Sequence, residues 1–149
     1  MPDFQKGPNL RTPFGRNQFL RSTQDVKTES YTLSAASVPS EDIDGHPQKV
    51  MQPGTVLAKI TSGPEAGKVG PYQTGVTDGR ELAAGIVGIC NTFLPWQLLE
   101  RDVEVAAVYE CTAVLAWCYE YDAGGARVAL AAATADAMRG TRGLDVMFK

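Results

Sequence analysis

The chain of 149 residues has one histidine, three cysteines and no apolar run near the roughly 20 residues that a membrane-spanning helix needs. Each shortage closes a class of function. With His46 alone and no Gly-x-Ser-x-Gly elbow, a Ser or Cys nucleophile has no base beside it. An odd cysteine count without framework spacing does not describe a disulfide scaffold, and one His without a Cys-x-x-Cys pair cannot supply four zinc ligands. Cys111 and Cys118 stand seven residues apart in a strand-like run, on opposite faces, so buried reduced thiols are expected. Neither Gly-x-x-x-x-Gly-Lys-[Ser/Thr] nor Gly-x-Gly-x-x-Gly occurs, so no phosphate cradle is visible. The first residues, with Asp3, Lys6 and Gly7, lack the basic start and apolar stretch of a secretory signal. A soluble protein made inside a cell is expected, with no catalytic residue, metal or cofactor.

What is present is a β-rich pattern. Pro53-Gly54, Gly63-Pro64 through Gly67, and Asp78-Gly79 are tight-turn signals between short runs, Thr55 to Ile60, Lys68-Val69 and Leu82 to Cys90. Those runs are too short for helices and read as a meander. From Asp102 to Asp122 every odd position is apolar or aromatic, including Val103, Val105, Tyr109, Leu115, Trp117 and Tyr121. Period two means strand, and the length predicts a kink or break near Glu110 to Thr112 with the odd face kept inward. Asp122-Ala-Gly-Gly125 is a turn from which Ala126 to Leu130 returns. Thr134 is positioned to cap a short helix ended by Gly140, and Gly143 to Phe148 forms a closing strand.

Charge divides the chain. Residues 1–30 hold five basic and three acidic side chains, a balance of +2, and the rest hold nine basic and fourteen acidic, a balance of −5. A basic arm, residues 1–29, thus precedes an acidic body, residues 30–149, whose first strand is Ser30 to Ser34. Pro2, Pro8 and Pro13 block regular helix in the arm, and its Phe and Leu residues are too sparse for a core. Three readings stand: a solvated tail, a nucleic-acid contact, or a segment that orders on a protein. The electrostatic footprint is small for nucleic acid. The interleaved Phe4, Leu10, Arg11, Phe14, Arg16, Phe19, Leu20 and Arg21 favour an extended backbone laid along a partner's sheet edge. Thirty extended residues reach roughly 100 Å.

Two further segments invite a functional reading. Asp42-Ile-Asp-Gly-His46 resembles the start of a calcium loop, but Pro47 and Pro53 occupy the positions where that loop needs Gly and Glu. His46 is read as a solvated residue in a polar loop from Ser37 to Pro47. The Phe93 to Leu99 stretch carries Phe93, Leu94, Trp96, Leu98 and Leu99, interrupted by Pro95. It is either a loop packed over the end of a barrel or a contact surface between protein chains. Glu100, Asp102 and Glu104 stand on the even, solvated face of a strand and do not read as a catalytic pair.

The order of these features carries a resemblance. A polar arm, then Pro53-Gly-Thr-Val-Leu-Ala-Lys59, Gly67-Lys68 with Tyr72 soon after, Asp78-Gly79 and Ala84-Gly-Ile-Val87, is similar to the head decoration proteins of tailed bacteriophages, the phage lambda decoration protein and its relatives. The likeness covers Ser30 to Lys149; the arm departs from it in being longer and more basic. The resemblance implies a mainly β, tulip-like fold with one or two short helices, assembling as homotrimers. Such trimers sit on the outer surface of an expanded capsid at three-fold and quasi-three-fold positions, clamping neighbouring subunits of the major capsid protein, with N-terminal segments paired to capsid strands. It further implies synthesis in a bacterial cytoplasm, residence in the virion, and no membrane or direct nucleic-acid partner. Two competing readings remain. Gly54 to Ile60 also resembles the strand of lipoyl and biotinyl hammerhead carrier domains, which display a Lys at a hairpin tip. A trimeric β-fold nucleotide hydrolase is the enzymatic alternative.

Overall fold

The computed structural model describes residues 19–22, 24–43 and 45–149 and is mainly β. Ten strands and one α-helix occur among the described residues: β1 (Lys27–Leu33), β2 (Ser40–Ile43), β3 (His46–Lys49), β4 (Val56–Lys59), β5 (Val69–Pro71), β6 (Ile86–Cys90), β7 (Val103–Ala113), β8 (Tyr119–Tyr121), β9 (Arg127–Ala129), α1 (Ala132–Arg139) and β10 (Asp145–Phe148). The expected meander is β4, β5 and β6, with β4 in the middle and both neighbours antiparallel to it. Strand β1 pairs with β5 on one side and with β7 on the other, and β6 pairs with β7. The ring β1-β5-β4-β6-β7 therefore closes on itself as a small barrel, and β10 extends the sheet from β7.

Closure gives each strand an inner and an outer face, and both are covered. Leu33, Leu57, Val69, Cys90, Val105 and Ala107 meet inside the ring. On the outside, Val56, Ala58, Ile89, Val108, Cys111 and Ala113 are covered by Phe19, Ala135, Met138, Val146 and Phe148. Helix α1 thus serves as a lid for the outer core, through Ala135 and Met138. Burial of each large apolar side chain is worth about 1.5–3 kcal/mol, so the two layers together give this short-stranded ring its stability. Gly54 is required where the layers meet: its φ is +94°, and a Cβ there would stand 2.5 Å from the Trp117 carbonyl oxygen.

Several expectations are corrected. The Ser37 to Pro47 loop contains the hairpin β2–β3, in which His46 faces Ile43 and Pro47 faces Asp42. Its polar sequence hides the alternation, and an edge ladder accommodates the proline. The kink expected near Glu110 is a bulge at Tyr109, where the β1–β7 register shifts, and the strand is not broken there; it runs to Ala113 and then enters a 3-10 turn, Leu115–Trp117, before β8. The turn interrupts the alternation, so Trp117 is 49% exposed while Cys118 is buried; Tyr121, beyond it, is buried as expected. Cys111 and Cys118 consequently share the outer core instead of facing apart. Thr134 does not cap α1. The Leu130 N–H is still bonded to the Cys118 carbonyl, so the helix starts at once after Ala131 and Thr134 lies inside it.

The boundary of the arm also moves. Lys27 to Glu29 form the first part of β1, opposite Glu110 to Ala107 of β7. Before them, Phe19 is 1% exposed inside the outer core, and its carbonyl accepts from the Val114 N–H at 2.7 Å. The Arg21 N–H donates to the Thr112 carbonyl at 2.9 Å. Phe19→Ala is expected to lower the unfolding free energy by about 3 kcal/mol or more. Urea denaturation of the full chain measures this, and a loss below about 1 kcal/mol would exclude Phe19 from the cooperative core.

Candidate interaction surface

Of the eight arm residues singled out for partner contact, Phe4, Leu10, Arg11, Phe14 and Arg16 lie outside the described residues. Phe19 does not present itself to a partner, because it fills a site in its own body between Gly54 and the outer core. Leu20 is half-buried and bridges antiparallel to Ala113, and Arg21 is exposed. A short continuation of the β1 edge thus fixes where the chain enters the body.

The Phe93 to Leu99 stretch follows β6 and precedes β7, so it lies across the barrel end where β6 finishes. Met51 and Leu94 exchange both backbone hydrogen bonds, at 3.0 and 2.9 Å, and a turn then bonds Leu98 to Pro95 and Leu99 to Trp96. Leu94 and Leu99 are each 2% exposed and pack on Met51 and Val105 of the inner core. For those two residues the interface reading is corrected: they plug the barrel. Leu98 points outward at 48% exposure, beside the partly buried Phe93 and Trp96. The Trp96 Nε1 is buried without an acceptor among the described residues. Leu82 and Trp117 add exposed apolar surface that period-two reading placed inside or left unassigned. No sequence signal marked Trp117 as exposed, since Ala113 to Ala116 continues the apolar run without Gly or Pro.

Charged groups tie loops to the ring. Lys68 donates to Glu65 at 2.7 Å and to Asp102, while Asp102 accepts from the Ala35 N–H and Glu65 from the Ser34 hydroxyl. Asp102 first, then Glu65, holds the Lys68 ammonium above its ordinary range, and Lys68 holds both carboxyls below theirs. Arg80, 6% exposed, grips both Asp78 oxygens and the Ser37 carbonyl. Glu41 accepts from the Tyr121 hydroxyl and pairs with Arg127, joining β2 to β8 and β9. Lys59 ends β4 opposite Val69, and Lys68 is anchored below the turn that joins β4 to β5. Neither occupies a hairpin tip. His46 is exposed, Asp44 lies outside the described residues, and no group of three His, Cys, Asp or Glu among the described residues could hold a metal ion.

Comparison with family models, curated proteins and solved structures gives no match. The surface has to be read from its own chemistry. Cys90, Cys111 and Cys118 are free and buried, and loss of solvent raises their pKa values to about 11, 11 and 12.

Two outcomes are expected. Leu94→Ala and Leu99→Ala should each lower stability by about 2–5 kcal/mol, whereas Leu98→Ala should stay within about 0.5 kcal/mol, as denaturant midpoints will show. A large loss for Leu98→Ala would contradict its outward placement. Because folding raises the thiol pKa values, the stability they contribute is complete below the unfolded value of about 8.5 and declines as pH climbs towards 11 to 12. Iodoacetamide at pH 8 should therefore label the thiols slowly in the native chain and quickly in urea. Fast native labelling would exclude the buried placement.

Proposed function

We propose that this protein decorates and cements the expanded head of a tailed bacteriophage, binding the major capsid protein as a homotrimer at three-fold and quasi-three-fold positions on the outer surface. The observation that carries this reading is the anchored N-terminal segment. Phe19 to Arg21 is bonded to Thr112 and Val114 and locked by a buried phenylalanine, so a partner that captures residues 1–18 is joined to a stable ring. Phe4, Leu10, Arg11, Phe14 and Arg16 supply the apolar and basic side chains for strand addition on a capsid sheet edge.

The mainly β body and the order of its turns support the same reading, since they agree with the family that the sequence resembles. In this account Leu98 and Trp96 face a second copy or the shell, on a support made rigid by Leu94 and Leu99. A protein that binds the expanded shell and not its precursor lowers the free energy of the expanded state alone. Three arms on one trimer then combine modest contacts through effective concentration.

Deletion of residues 1–18 tests the arm without touching Phe19 or β1. The truncated chain should retain its β circular dichroism and its cooperative melt, and should lose affinity for expanded heads in sedimentation. The complete chain should sediment with expanded heads and stay in solution with unexpanded shells. Equal binding by the truncated and complete chains would overturn the clamp, and failure of the complete chain to bind any head would overturn the decoration reading.

A further inference from the structure

The two ends of the barrel differ. Leu94 and Leu99 fill the end where β6 finishes. At the opposite end, β1 and β6 begin and β4 finishes, and there a cavity of about 470 Å³ opens. Strand alternation sets its walls. Tyr31 and Val87 pack on the inner core, and Glu29 and Lys59 share their faces of β1 and β4. Tyr109, the extra residue where the β1–β7 register shifts, and Arg142, in the turn before β10, complete the rim.

Most cations among the described residues are held by the chain itself, and those that are not, Arg21, Lys59, Arg101, Arg142 and Lys149, share a concavity only at this mouth. Lys27, Lys68, Arg80, Arg127 and Arg139 are each paired with a carboxylate, and Lys49 is bonded to the Ala35 carbonyl. Lys59 and Arg142 have no such partner among the described residues, although they come from separate elements and line one concavity. The single acid there is engaged already: Glu29 accepts from the Tyr31 hydroxyl at 3.0 Å. Concavities of this size at a barrel mouth are common ligand sites, and this one sets two tyrosines beside its charged groups. An anionic occupant complements the two open cations, while the net charge of −5 on residues 30–149 repels a long nucleic acid.

We infer that the mouth of the barrel binds an acidic peptide segment, with its carboxylates on Lys59 and Arg142 and its chain against Tyr31 and Tyr109. This goes beyond the decoration reading and is measured on the isolated chain, so either can fail without the other. The probe is fluorescein-labelled tetraglutamate, followed by anisotropy at low salt, with tetraglutamine as the neutral control. Saturable binding is expected for tetraglutamate alone. The double variant Lys59→Gln/Arg142→Gln should weaken it by about tenfold or more, and Arg101→Gln/Lys149→Gln, which alters exposed cations elsewhere, should not. Amide resonances of the unaltered chain should shift most at residues 84–87 and 142–144, a readout that stands even if the double variant folds poorly. Absence of saturable binding, equal weakening by the two double variants, shifts concentrated elsewhere, or displacement by inorganic phosphate at the concentration of the peptide would each overturn the inference.

Discussion

Strand β7 is the constraint on which the other elements depend. Eleven residues long, it has to satisfy backbone donors and acceptors along both edges in a mostly buried setting. One edge takes β1 from Val103 to Glu110 and then Phe19 to Arg21; the other takes β6 at Ala107 and Val108 and then β10 from Glu110 to Ala113. Four segments distant in sequence must converge on it. The bulge at Tyr109 then changes which face is buried where, so Val105 and Ala107 serve the inner core and Cys111 and Ala113 the outer one. Gly88 follows from the same demand, since a Cβ there would meet the Val108 carbonyl oxygen at 2.6 Å.

The far end of β7 joins the two ends of the described body. Val114 donates to the Phe19 carbonyl, and Leu115 donates to the Lys149 carbonyl. Phe19 and Phe148 lie in the same core cluster. A pull on the N-terminal segment is therefore resisted by backbone bonds on β7 and by the cost of withdrawing a buried aromatic ring into water. Phe19 to Arg21 thus belong to the body, which begins ahead of Ser30.

The turns were legible because Gly and Pro impose backbone angles locally: Pro53-Gly54, Gly63 to Gly67 and Asp122 to Gly125 all separate or join strands as their sequence implies. Period two was legible wherever one face is buried along a straight strand, as from Val103 to Ala107. It held past the bulge, where Cys111 and Ala113 stay buried though in the outer core, and it failed at the 3-10 turn from Leu115, which interrupts the alternation. Hence Trp117 came out exposed and Cys118 buried. Phe19 was unreadable for a different reason. An isolated Phe amid polar residues carries no periodicity, and its burial comes from a site built by Gly54, Cys111 and Cys118, residues far along the chain. The mouth of the barrel was equally hidden, since Lys59 and Arg142 become neighbours of one cavity only when the ring closes.

Ring closure also explains why the surface divides as it does. The ion pairs of Lys68, Arg80 and Arg127 with four carboxylates bind loops and hairpins to the ring and hold irregular backbone in place. Partly exposed pairs of this kind add little stability each, and their value lies in fixing loop geometry around a core that apolar burial already stabilises. Charges left outside that network, together with apolar side chains turned out of both cores, are the groups that folding does not account for. They include Leu98 outside the plugged end, Lys59 and Arg142 at the open end, and Leu82, Trp117 and Met147 on the outer surface. A ring plugged at one end and sheathed on its outer face carries these groups on a support whose two cores lie beneath them, so they can be altered without exchanging a core contact.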